Sequence, residues 1–170
     1  MMRVKLREAA DGDVPGISAL CTEAAETLTR RFGAGHWSGI ATEKGVRFGM
    51  RTSKVFMAHH RRKLVATLRL STKKPWAIDR SHFSASKRPL YLLSMAVAPD
   101  LQRRGVGRPC IEQVKEVCRL WLADAVRLDS YNAPAGAGRF YAKCGFRNVG
   151  GVNFRGCPLS YFEWVVQLSC

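Results

Sequence analysis

The 170-residue sequence predicts an α/β (α+β) fold, with a mixed central sheet and helices on both faces. Three observations point there. Short strand-like segments alternate with amphipathic helical ones along the whole chain. A nearly all-apolar run at residues 91–97, a Gly-rich turn, a helix and a strand at 125–131 make a βαβ unit, whose strands should be parallel with a right-handed crossover. The flanking segments are joined by short polar turns and should pair antiparallel. Residues 1–170 show no repeat, low-complexity tract or linker, so a single domain is expected.

Taken in order, residues 3–8 alternate like a strand, with Val4 and Leu6 on one face. Asp11 and Asp13 offer capping side chains and Pro15 suits a first helical turn. Val14, Ile17, Cys21, Ala24 and Leu28 recur at three-to-four spacing beside Leu20, predicting an amphipathic helix to about Arg31. Residues 32–39 form a Gly-rich loop, and a shorter helix follows over 42–51. Residues 54–59 and 64–70 read as a hairpin about the turn 60–63. The polar connection at 72–88 is long enough to suggest a functional role. After the 91–97 strand, Val106, Cys110, Ile111, Val114, Val117, Cys118, Trp121 and Leu122 mark one helical face, with Glu112, Lys115, Glu116 and Arg119 opposite. Pro109 belongs in that helix's first turn, so the helix should begin at or just after Gly105. Residues 135–144 read as a short helix capped by Gly145, and 147–153 and 161–168 as closing strands.

Composition narrows the setting. No apolar run approaches the ~20 residues that span a bilayer, and the N-terminus alternates charged and apolar residues where a secretory signal would be unbroken. A cytoplasmic, non-membrane protein is expected. The six cysteines form no CxxC pair and match no zinc spacing, so no metal is expected. Lys and Arg number 28 against 13 Asp and Glu, a net charge of +15 that favours polyanions such as nucleic acid or a phosphorylated cofactor. No nucleic-acid motif accompanies the charge, so no specific nucleic-acid partner is expected.

The chemistry concentrates at Gln102-Arg103-Arg104-Gly105-Val106-Gly107. A strand ending in such a turn and opening a helix presents unpaired N–H groups and the positive end of the helix dipole. Gly105 and Gly107 let a phosphate approach the backbone, and Arg103, Arg104 and Arg108 add full charges. A Walker loop would need Gly-Lys-Ser/Thr, which is missing. A dinucleotide fingerprint would need Gly or Ala where Cys110 stands, and more sheet after it.

The turn instead resembles the Gln/Arg-x-x-Gly-x-Gly/Ala motif of the GNAT superfamily of N-acetyltransferases. Met95-Ala96-Val97-Ala98-Pro99 resembles that family's lead-in, and Asn132 with Arg139-Phe140-Tyr141-Ala142-Lys143-Cys144-Gly145-Phe146 is similar to its later "RFYxKxGF" segment. The three agree in order and separation. The resemblance implies the acyl-CoA N-acyltransferase fold, with a splayed parallel strand pair, and acetyl-CoA as co-substrate. It implies that Met95, Ala96 and Val97 bond the pantetheine arm and acetyl carbonyl through their backbone. Gln102, Arg103, Arg104, Gly105, Val106, Gly107 and Arg108 would hold the pyrophosphate, and Asn132, Ala135 and Tyr141 would flank the arm. It also implies catalytic roles for Tyr141, as proton donor to the CoA sulfur, and for the Val97 N–H, as oxyanion donor.

Many relatives place a carboxylate near the positions of Leu93 or Ser94, and this chain has no Asp or Glu between Arg80 and Asp100. Glu23, Glu26 or His36 could serve as base, or the amine could lose its proton to solvent. The acceptor is expected to be a primary amine on a small molecule or peptide, with Trp37 and Trp76 as candidate apolar walls; a homodimer is allowed for. Two other readings stay open: a non-catalytic acetyl-CoA sensor and a nonspecific polyanion binder.

Overall fold

The computed structural model describes residues 4–167. Arg3, Leu168 and Cys170, which the sequence reading placed in the first strand, the last strand and the cysteine count, lie outside them. Seven strands form one mixed sheet in the order β1-β2-β3-β4-β5-β7-β6. In chain order the elements are β1 (Lys5–Glu8), α1 (Val14–Phe32), α2 (Glu43–Thr52), β2 (Lys54–His60), β3 (Lys63–Ser71), β4 (Pro89–Val97), α3 (Gly107–Leu120), β5 (Ala125–Tyr131), α4 (Gly138–Lys143), β6 (Arg147–Phe154) and β7 (Cys157–Val165). Among the described residues no helix is long and apolar enough to cross a membrane.

The chain divides into two compact units, Met1–Leu70 with Ser94–Gln113, and Ser71–Leu93 with Val114–Cys170. In the first unit β1 and β2 are antiparallel, as are β2 and β3. The β2–β3 turn is Arg61-Arg62, both at positive φ (46° and 70°), which matches the strand twist of a two-residue hairpin. Ile17, Val55 and Met57 form a core cluster against which Cys21, Val46, Met50 and Leu64 pack. The Gln113 side chain accepts from the Leu6 N–H at 2.8 Å and donates to the Val4 carbonyl at 3.0 Å, so it acts as a pairing partner for β1. Asp13 does not cap α1 with its side chain; the carboxylate takes Arg7 at 2.7 Å and the Ala10 N–H at 2.8 Å instead.

In the second unit β4 and β5 pair in parallel through Pro89↔Ala125, Leu90↔Val126 and Tyr91↔Arg127, as the βαβ pattern predicts. β7 is antiparallel to both β5 and β6. It begins at Cys157, four residues before the predicted start at 161, because Pro158 reads as a strand breaker in sequence. The β6–β7 turn, Arg155-Gly156, again has two positive φ values (51° and 80°). Ile78, Tyr91 and Tyr161 make this unit's core cluster. The 72–88 connection is anchored to it: the Asp79 N–H donates to the Tyr161 hydroxyl at 3.0 Å, and Asp124 accepts from the Lys87 N–H at 2.8 Å.

Three sequence expectations need correction here. Trp121 and Leu122 lie beyond the end of α3, where Leu122 turns to φ 54° and is 67 % exposed, so neither extends its buried face. Lys115, assigned to the polar face, is buried and donates to the Cys144 carbonyl at 2.7 Å. Ala135 lies in a turn with Pro134, Gly136 and Ala137 are irregular, and α4 begins at Gly138 rather than at 135. Cys110, Cys118, Cys144 and Cys157 are buried and Cys21 partly so, none in a disulfide. Burial pushes the Cys21, Cys110 and Cys118 thiols up to about 11.

Candidate active site

The signature turn lies wholly in the first unit. β4 ends at Val97, whose carbonyl accepts from the Gln102 side chain at 3.2 Å. The next N–H, that of Ala98, donates to the Val65 carbonyl at 2.9 Å, so the exit of β4 is fastened to β3. A single 3₁₀ turn over Pro99–Leu101 follows, and Arg104 N–H donates back to the Leu101 carbonyl at 3.2 Å. Arg103 (φ 61°) and Gly105 (φ 83°) both take left-handed backbone. A Cβ at Gly105 would meet no atom within 4 Å, so the glycine serves the backbone angle rather than packing. Val106 is buried and anchors the turn, while Gln102, Arg103, Arg104 and Arg108 are exposed. The 14-residue α3 then starts at Gly107, with Pro109 in its first turn as expected. Three exposed guanidinium groups thus surround a helix start whose backbone donors lack helical partners. Asp100 beside them is held below the usual carboxylate range, first by its hydrogen bond from Lys63.

Ser94, in the same stretch of β4, has φ 50°, a left-handed angle within a strand. Met95, Ala96 and Val97 follow it. Glu23, Glu26 and His36, the candidate bases, are exposed. Trp37 closes its own loop by donating its ring N–H to the Gly33 carbonyl at 3.0 Å.

The remaining predicted residues lie in the second unit. Asn132 follows β5 and its N–H donates to the Pro158 carbonyl at 2.9 Å. Ala135 sits in the turn before α4, and Ser130 Oγ secures that turn by accepting from the Ala137 N–H at 3.0 Å. Tyr141, in the middle of α4, is buried among Phe140, Phe146 and Phe162, at ring separations of 5.2, 5.9 and 6.1 Å. Burial raises its phenol well above the ordinary tyrosine value, and the charges of Asp129 and Cys144 add to the effect. Trp76 is 90 % exposed.

Asp129 was missed in the sequence reading, which looked for a carboxylate on β4. It lies on β5, burial raises its carboxyl, and its charge is felt at Tyr131, Tyr141, Cys157 and Tyr161. The available signal was a lone acid in the apolar strand Ala-Val-Arg-Leu-Asp-Ser-Tyr.

A family model described as "Acetyltransferase (GNAT) domain" matches residues 51–148, more than half of the chain. The chain belongs to the GNAT acetyltransferase family. The match contains the turn, β4, β5 and Tyr141, whereas α1 and most of α2 precede it. No curated protein sequence matches this GNAT chain. Solved structures share its fold at low identity. A GNAT-family acetyltransferase from Streptococcus agalactiae superposes with TM-score 0.79 at 14 % identity, covering 97 % of this chain and 96 % of that one. A ribosomal-protein-alanine N-acetyltransferase from Brucella melitensis gives 0.72 at 17 %, with 95 % and 99 % covered. A PaiA N-acetyltransferase from Thermoplasma acidophilum, in complex with coenzyme A, gives 0.72 at 14 %, with 97 % and 100 % covered.

Proposed function

We propose that this GNAT chain transfers the acetyl group of acetyl-CoA to a primary amine of a small molecule or peptide. The observation that carries the reading is the exposed Gln102–Arg108 turn, with three arginines and two left-handed residues at the start of α3. A pyrophosphate there gains charge-assisted hydrogen bonds from side chains and the dipole of a full-length helix. Met95, Ala96 and Val97 then hold the pantetheine arm and the thioester carbonyl through backbone groups, and Asn132 and Ala135 take its other flank. The solved PaiA neighbour was captured with coenzyme A, which supports the same co-substrate here. On this reading residues 1–170 act as one GNAT domain in the cytoplasm.

In the reaction a neutral amine nitrogen attacks the acetyl carbonyl carbon. A new C–N bond forms, charge collects on the oxygen, and the Val97 N–H stabilises it without reorganisation. Collapse breaks the C–S bond. The sulfur leaves as thiolate and takes up one proton, while the amine nitrogen loses one, giving an N-acetyl product and free CoA. Tyr141 is the proton donor. Burial disfavours its phenolate, so the group keeps its proton at neutral pH. The phenol is a weaker acid than the CoA thiol, and its donation to the sulfur is completed by the proton that the amine nitrogen releases, which restores the phenol.

The test is release of CoA thiol from acetyl-CoA across amines and peptides, comparing the parent with Tyr141→Phe. Acceptor-dependent turnover should fall by about 10²-fold or more in the variant, with acetyl-CoA affinity unchanged by calorimetry. Turnover equal to the parent removes Tyr141 from the chemistry. Tight binding without turnover of any acceptor favours a non-catalytic sensor.

A further inference from the structure

Within the first unit, α1 and α2 cover one face of β2 and β3 and leave a cavity of about 200 Å³. This is smaller than the roughly 300–1,000 Å³ of pockets for drug-sized ligands. Its apolar wall includes Ile17, Val46 and Val55, and its polar side is Thr67, Arg69 and Ser94. Val55 and Arg69 are cross-strand partners, and Met57 and Thr67 are the next pair facing that way, so the sheet register places the guanidinium on the cavity side. Ser94 lines the same cavity and immediately precedes Met95-Ala96-Val97, the stretch assigned above to the thioester.

Arg69 is the only charged side chain among the described residues lining this cavity. Its neighbours are neutral. Nε donates to Ser53 Oγ at 2.9 Å and Nη2 reaches Thr52 Oγ1 at 3.5 Å, which leaves most of its five donors uncommitted. No described carboxylate pairs with it. Burial lowers its pKa, the signature of a cation short of counter-charge. The fold makes room for it: a Cβ on Gly49 would stand 3.1 Å from Arg69 Cζ and Nε. An uncompensated, half-buried guanidinium is costly unless an anion completes it.

We infer that the acceptor is a small amine that also carries a carboxylate, an amino acid or close analogue with an apolar side chain, and that Arg69 binds that carboxylate. The inference rests on the acetyl-transfer reading above. A single planar fork in a small, mostly apolar cavity suits a monoanionic carboxylate better than a phosphate dianion.

The test uses matched pairs of free amino acids and their carboxamides, such as leucine with leucinamide and phenylalanine with phenylalaninamide. CoA release is read as kcat/KM corrected for the fraction of neutral amine. The free acids should exceed the amides by about tenfold or more. Arg69→Gln should bring that ratio to within about twofold. Ser53→Ala, which cuts the tether but keeps the guanidinium, should preserve it. If Arg69→Gln melts early by circular dichroism, Gly49→Ala takes its place: it displaces the guanidinium by a few tenths of an ångström and should weaken the acid preference. Equal turnover of acids and amides, or a preference that survives Arg69→Gln, overturns the proposal. So does binding of acetyl-CoA without turnover of any pair; loss of acetyl-CoA binding itself would instead overturn the acetyl-transfer reading.

Discussion

Asp13 holds three donors, two from Arg7 and one from the Ala10 backbone, at 2.7–2.8 Å. The hydrogen bonds from Arg7 and then from Ala10 stabilise its charged form and bring its carboxyl from 3.8 to about 2. A depressed carboxyl contributes stability above its unfolded-state value and loses it as pH falls through the folded one. Asp13→Ala should therefore cost about 1 kcal/mol at pH 7. The gap to the parent should close as the pH is lowered from about 4 to about 2, which urea melts at a series of pH values would follow. The residue scale is also where sequence reading was weakest. Asp13 was legible as a capping type, but not as a partner of Arg7. Lys115 sat on a polar stripe by period alone, and only the fold brings the Cys144 carbonyl to its ammonium. Asp129 escaped notice because its meaning depends on neighbours from β7 and α4 that are distant in sequence.

At the scale of elements, periodicity carried further. α1, α2, the β2–β3 hairpin and the parallel pairing of β4 with β5 follow from patterns a few residues long. Thr42 caps α2 by accepting from the Gly45 N–H at 3.1 Å, as a helix beginning there would require. The early start of β7 was hidden because Pro158 interrupts a strand pattern, and the late start of α4 because Pro134 and Gly136 govern a turn that composition alone does not delimit. Pairing of β5 with β7 has a polar centre that no period reveals: Arg127 and Glu163 face each other across the ladder. Their side chains are almost fully buried, with Nε to Oε1 at 3.0 Å, and Glu163 also accepts from Ser84 Oγ at 2.6 Å. Glu163→Ala would strand the Arg127 guanidinium in the interior. It should cost about 3–5 kcal/mol, seen as a lower midpoint in chemical denaturation.

For the whole molecule, the family match begins at residue 51 and ends at 148. α1 and most of α2, which wall the Arg69 cavity, stand before it, so the turn proposed for the co-substrate was legible from motifs while the cavity proposed for the acceptor was not. The basic charge of +15 was legible too, and three of its arginines stand at the turn. The cysteines give the molecule another property. Cys21, Cys110 and Cys118 are thiols near 11, and Cys144 and Cys157 are buried. In thiol–disulfide exchange the protein thiolate attacks the reagent's S–S bond and expels the reagent's thiolate, so a cysteine reacts only where it ionises and is accessible. In a Cys170→Ser variant at pH 8, the native protein should therefore stay nearly silent to such a reagent, and five equivalents of thiol should appear in denaturant. Each cysteine then becomes a timer for the opening of its own neighbourhood: its labelling rate under native conditions reports how often α1, α3 or the strands part, with no dye or isotope added to the chain.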